Sequence, residues 1–167
     1  TLLRIERAMH AGELELFFQP KIRLSNGSLF GAEALLRWRH PERGLLAPGL
    51  FLGEVTGTPF SQVLDHWVAR SALEHVQRWR TQGREVAVSV NMAVPTLTAD
   101  GFLGFMAKLL QDHADLPTYT LEIELLEYET MNDLALVAQT IERLYAMGVR
   151  VSIDDFGTGY SSLTYLQ

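Results

Sequence analysis

Four apolar, strand-like runs each deliver an oxygen-bearing side chain at or near their end, and few folds can accommodate that. Phe30-Gly-Ala-Glu-Ala-Leu-Leu-Arg-Trp38 carries Glu33 and Arg37 inside an otherwise apolar stretch. Val86-Ala-Val-Ser-Val90 leads to Asn91, Leu121-Glu-Ile123 leads to Glu124, and Val149-Arg-Val-Ser-Ile153 leads to Asp154 and Asp155. A carboxylate in such surroundings is costly unless a cation meets it. Magnesium and manganese favour carboxylate, amide and water oxygens in octahedral geometry. Three acids and one amide converging from four strands therefore suit a hard divalent ion, with room left for water and substrate. Phe156-Gly-Thr-Gly159 supplies a bend that lets Asp154 and Asp155 act together. Two ions sharing Asp154 would clamp a phosphodiester and lower the pKa of a bridging water.

Each residue taken alone has an ordinary explanation. Asp154-Asp155 before Gly-Thr-Gly suits turn and N-cap chemistry. Glu122 and Glu124 alternate with Leu121 and Ile123, as on an exposed strand, and Asn91 suits a strand-end turn. Arg37 beside Trp38 could snorkel with a cation–π contact. It is the coincidence of oxygen donors at all four strand ends that chance does not readily produce.

Helices and strands alternate along the chain. Residues 1–11 suit a short amphipathic helix stopped near Gly12. Strands over 15–24 and 29–37 flank Ser25-Asn-Gly-Ser28, an Asn-Gly hairpin signal. His40-Pro-Glu-Arg-Gly44 reads as loop. A helix is expected over 61–80, where Val63, Leu64, Trp67, Val68, Ala72, Val76 and Trp79 recur at spacings of three and four, with Gly83 past its end. Strand 86–91, a helix from Pro95 through Leu110, strand 119–125, a helix from Asp133 to Met147 and strand 149–153 follow. The strands read as apolar on both faces, which implies parallel strands covered by helices in an α/β layer or barrel. In a barrel, chemistry collects at the carboxyl ends of the strands, where these donors lie.

With 167 residues, 47% of them apolar, the chain can bury a substantial core. The absence of cysteine excludes disulfides and thiolate metal sites. The five histidines lack the spacing of a zinc site. No apolar run approaches the roughly 20 residues that span a bilayer. A net charge of −6 argues against polymeric nucleic acid as a partner, though a small phosphate ligand is compatible with a local cluster of metal and arginine. The opening at Thr1, with a helix already under way, and the close at Gln167 are read as the ends of a piece of a longer polypeptide.

Phe18-Gln-Pro-Lys21, Gly31-Ala-Glu-Ala-Leu-Leu-Arg-Trp38, Val90-Asn91 and Asp154-Asp-Phe-Gly-Thr-Gly-Tyr-Ser-Ser-Leu163 resemble the EAL domain family, named for Glu33-Ala34-Leu35. The resemblance implies a TIM-like (β/α)8 barrel over residues 13–167. As given, it is incomplete: the first hairpin plus about three further β/α units, truncated at the C-terminal end. Residues 1–12 would be a linker helix from an upstream diguanylate-cyclase-like or sensor domain. The implied activity is metal-dependent hydrolysis of cyclic di-GMP to the linear dinucleotide pGpG in bacterial second-messenger signalling. By position, Glu33, Asn91, Glu124, Asp154 and Asp155 would hold two Mg²⁺ or Mn²⁺ ions, Asp154 bridging them. Gln19, Leu36 and Arg37 would contact the dinucleotide, and Glu127 would brace the loop after Asp155. Glu33, Asp154, Asp155 and Glu127 form the expected catalytic group. A homodimer is implied, together with a cytoplasmic location or a tether to the inner membrane through other parts of the protein. Leu126 stands where the family usually has a small hydroxylated residue, and the family's catalytic lysine falls beyond Gln167. These departures keep open an inactive EAL domain serving as a cyclic di-GMP receptor or protein-interaction module.

Overall fold

A hairpin opens the sheet and parallel strands extend it. In the computed structural model, which describes residues 2–126 and 133–154, helix α1 (Leu2–His10) leads into β1 (Leu14–Ile22), which pairs antiparallel with β2 (Leu29–His40). The connection turns at Asn26-Gly27. Gly27 takes a positive φ of 69°, and the Asn26 side chain accepts from the Ser28 N–H at 3.0 Å. Pro20 is accommodated because β1 lies at the sheet edge, where a missing ladder donor is tolerated. A short strand β3 (Gly44–Leu46), which begins at the last residue of the expected loop 40–44, folds back on the end of β2.

Beyond the hairpin, β2, β4 (Ala87–Asn91), β5 (Leu121–Leu126) and β6 (Arg150–Asp154) run parallel in that order. Each parallel pairing needs a crossover long enough to carry a helix. The crossovers are α2 (Pro59–Thr81), then α3 (Val94–Leu97) with α4 (Phe102–Asp112), then α5 (Leu134–Ala146). The expected single helix from Pro95 to Leu110 is two, because Gly101, at φ 83°, breaks the chain direction immediately before α4. Among the described residues no helix is long and apolar enough to cross a membrane.

One core forms between the sheet and its helices. Leu14 and Leu16, Ala34, Leu36 and Trp38, Val88 and Val90, and Leu121, Ile123 and Leu125 supply its strand side. Leu64, Val68, Ala72 and Val76 of α2, Met106 of α4 and Leu144 of α5 cover it, and Ile5 and Ala8 of α1 join it. The α2 stripe is narrower than its periodicity suggests, since Val63 is exposed, and on α5 Leu134 and Tyr145 are exposed as well.

The expectation that the strands are apolar on both faces is corrected. The alternating set, Glu33, Leu35 and Arg37 on β2, Ser89 and Asn91 on β4, and Glu122 and Glu124 on β5, gives a second face rich in polar groups, matched by register. Lys21 of β1 nevertheless reaches Glu124 of β5 across β2 and β4. On a flat sheet those strands would stand about 14 Å apart at ~4.8 Å per step. The sheet is therefore curled, its polar face concave, in the manner of a barrel wall.

Candidate metal and phosphate site

The concave face owes its chemistry to register. Glu33 aligns with Ser89, and Asn91 two residues further along β4 aligns with Glu124. Asn91 Nδ2 donates to Glu33 Oε1 at 2.9 Å. That bond fixes the amide so that its carbonyl Oδ1 is unpaired among the described residues. Asp154 closes β6 opposite Leu126, two positions past the pairing of Glu124 with Ser152. Three of the four expected ligands thus stand on neighbouring strands, and the fourth ends the next strand. The chain after Asn91 is anchored from behind: Asp65 of α2 accepts from the Ala93 N–H at 3.2 Å and from the Thr96 hydroxyl at 2.6 Å.

Glu124 is only 7% exposed, and its carboxylate is paired with the Lys21 ammonium. Burial is the largest influence on Lys21 and works against its charge. The hydrogen bond to Glu124 and the fields of Glu124, Glu122 and Glu33 outweigh it, and together hold the amine above its usual range. Lys21 belongs to the Phe18-Gln-Pro-Lys21 motif, which by itself implies no role for it. Nothing local announces one, because its partner lies 103 residues away.

Gln19 pairs across the hairpin with Glu33 and is exposed on the same face. Arg37 donates through Nη1 to the Leu36 carbonyl at 2.8 Å and lies 5.7 Å from the Phe17 ring centroid. Its aromatic neighbour is therefore Phe17, while Trp38 receives Arg4 at 5.6 Å. Leu36, expected to contact a ligand, has its side chain off this face. Leu36 faces the helices and is buried in the core, because strand parity puts Leu35, not Leu36, on the face of Glu33 and Arg37. The alternation of Glu33, Leu35 and Arg37 was the signal that could have shown it.

Asp155 and Glu127 lie outside the described residues, and for Asp154 the strand position alone is described. Among the described residues no three His, Asp or Glu side chains gather closely enough to hold a metal ion. The donor chemistry nonetheless fits a hard divalent cation. Glu33, Asn91 and Glu124 offer only oxygen ligands, one of them a buried carboxylate already neutralised by a positive group. Ser89 Oγ, between the levels of Glu33 and Glu122, is buried with no hydrogen-bond partner, so the concave face retains polar capacity for water or ligand.

The EAL domain family model matches residues 3–167. The Pseudomonas aeruginosa bifunctional diguanylate cyclase/cyclic di-GMP phosphodiesterase MucR is 36% identical over 164 residues, covering 98% of this chain and 24% of that protein. A Mycobacterium tuberculosis protein is 38% identical over 168 residues, 99% of this chain and 54% of its own length. Among solved structures, the PaMucR phosphodiesterase in complex with c-di-GMP superposes with a TM-score of 0.90 at 37% identity, over 99% of this chain and 67% of that one. The EAL enzyme Bd1971, bound to cAMP and cyclic-di-GMP, gives 0.86 at 31%, over 98% and 45%. The chain spans about a quarter of the length of the first curated relatives it matches, 27% in the leading cases.

Proposed function

Because the chain belongs to the EAL domain family, we propose that its concave face binds cyclic di-GMP and, with Mg²⁺ or Mn²⁺, hydrolyses it to pGpG. The observation that carries this reading is the alignment of Glu33, Asn91 and Glu124 on adjacent strands, with Arg37 and Gln19 on the same face. Glu33, Asn91, Glu124 and Asp154, with Asp155, would hold the ions. Bound there, divalent cations supply an activated water and neutralise charge at phosphorus.

The chain's own residues do the rest. Arg37, with one guanidinium nitrogen engaged by its neighbour's carbonyl, keeps donors for a phosphate oxygen, a pairing that guanidinium geometry favours. Phe17 backs that guanidinium, and Leu35 offers apolar contact between Glu33 and Arg37. Asn91 steadies the Glu33 carboxylate. Gln19, opposite Glu33, is placed to donate to or accept from the dinucleotide.

The test is incubation of the full-length protein with cyclic di-GMP and Mg²⁺ or Mn²⁺, with products separated by chromatography. Appearance of pGpG, abolished in Glu33→Ala, is expected; intact dinucleotide under every metal condition rejects hydrolysis. A second reading, binding without turnover, is favoured by Glu124 being engaged by Lys21 and by Leu126 at the end of β5. Saturable binding of cyclic di-GMP without pGpG would select it.

A further inference from the structure

Lys21 stands where the site calls for a cation. It is the last β1 residue in regular register with β2, opposite Gly31, and a β-bulge follows it directly. Gly31 leaves the space over β2 open. A Cβ there would come within 3.3 Å of the Ala87 carbonyl oxygen and 3.9 Å of the Lys21 side chain itself. Across that gap the Lys21 stem runs over the hairpin's partner strand to a buried carboxylate on the far side of β4. The acids whose fields act on it are Glu124, Glu122 and Glu33. Glu124 has Lys21 as its side-chain partner among the described residues, and a buried carboxylate without a cation is strongly unfavourable.

We propose that Lys21 is a positioning residue that acts as a tethered counter-ion: it holds Glu124 in the concave face in the metal-free protein and gives it up when a divalent cation binds. The inference rests on the reading of Glu124 as a metal ligand. Two cations sharing one carboxylate repel each other in a site of low dielectric. Lys21 therefore does two opposed things. It stabilises the empty site by neutralising Glu124, and it lowers the site's affinity for the ion that displaces it. The result is a set threshold: the pocket stays ordered without metal and fills only when the ion outcompetes the ammonium.

The probe is Mn²⁺ alone, titrated into the full chain with free aquo-Mn²⁺ followed by electron paramagnetic resonance. Lys21→Met is expected to bind Mn²⁺ at least tenfold more tightly than the wild type, and to melt at lower temperature in EDTA, with the loss recovered on adding Mn²⁺. Lys21→Arg, which keeps the charge, is expected to stay within threefold of the wild type. Lys21→Gln provides the same comparison should Lys21→Met fail to fold. Unchanged or weaker Mn²⁺ affinity in the neutral variants overturns the counter-ion role. The metal reading fails separately, if Glu33→Ala and Glu124→Gln leave Mn²⁺ binding as it was.

Discussion

Asp65 stands on α2 and not on the sheet, yet its replacement should be felt at Asn91. Its carboxylate accepts from the Ala93 N–H at 3.2 Å and from the Thr96 hydroxyl at 2.6 Å, and Thr96 is only 2% exposed. Asp65→Ala leaves both donors without that acceptor. An unsatisfied buried donor costs about 1–3 kcal/mol, so the two together should remove roughly 3 kcal/mol of stability. For a domain of this size that lowers Tm by about 6–12 °C, at 2–4 °C per kcal/mol. Thr96→Val deletes one of the two donors and should cost about 1 kcal/mol by itself. Because both substitutions remove the same bond, the double variant should be less destabilised than the sum of the singles by about 1 kcal/mol. Urea unfolding of the four proteins gives these values. Since Ala93 follows Asn91 by two residues, Asp65→Ala should also weaken Mn²⁺ binding in the folded protein. A stability loss below about 0.5 kcal/mol, or strict additivity of the two substitutions, would refute the anchoring role.

Leu36→Ala should cost about 2–5 kcal/mol by opening a cavity in the core, while Leu35→Ala leaves stability nearly unchanged and weakens cyclic di-GMP binding; calorimetry on both variants separates core from concave face. Arg37→Lys should reduce dinucleotide affinity roughly tenfold to a hundredfold, the equivalent of one charge-assisted hydrogen bond lost, with no change in urea midpoint. His66 stacks on Phe105 at 3.7 Å between ring centroids, and burial, helped by the charge of Arg70, pushes its imidazole below the usual histidine range. The unfolded chain therefore takes up that proton first. Stability should fall as pH drops from about 6.5 toward the lower folded value, a slope that His66→Phe removes and that urea midpoints across the window would measure.

Local patterns carry the hairpin turn at Asn26-Gly27 and the long helix behind β4, and they mark Asn91 at the end of β4, whereas Glu33 falls in the middle of β2 and not at its end. They carry these features because each is written within a few residues. The concave polar face is half visible: Leu121-Glu-Ile-Glu-Leu125 and Val149-Arg-Val-Ser-Ile153 alternate strictly, but on β2 the pair Leu35-Leu36 hides the parity among apolar residues. Leu35 and Leu36 are identical in type, and only strand parity, counted from Glu33 to Arg37, tells which of them faces the core. Strand β3 escaped because three residues carry no periodicity, and it forms by pairing Leu46 with Trp38. Lys21 could not be read at all, since its contact depends on sheet curvature and on the side chain missing at Gly31.

The proposed chemistry requires one cation-binding locus on the concave face, formed by Glu33 within β2, Asn91 at the end of β4 and Glu124 near the end of β5. The most direct measurement is an anomalous difference map from crystals of the protein soaked in Mn²⁺. A peak within coordination distance of Glu33, Asn91 and Glu124, with the Lys21 ammonium moved off Glu124, is the predicted result. Manganese bound elsewhere, or no peak while Lys21 and Glu124 remain paired, would contradict it.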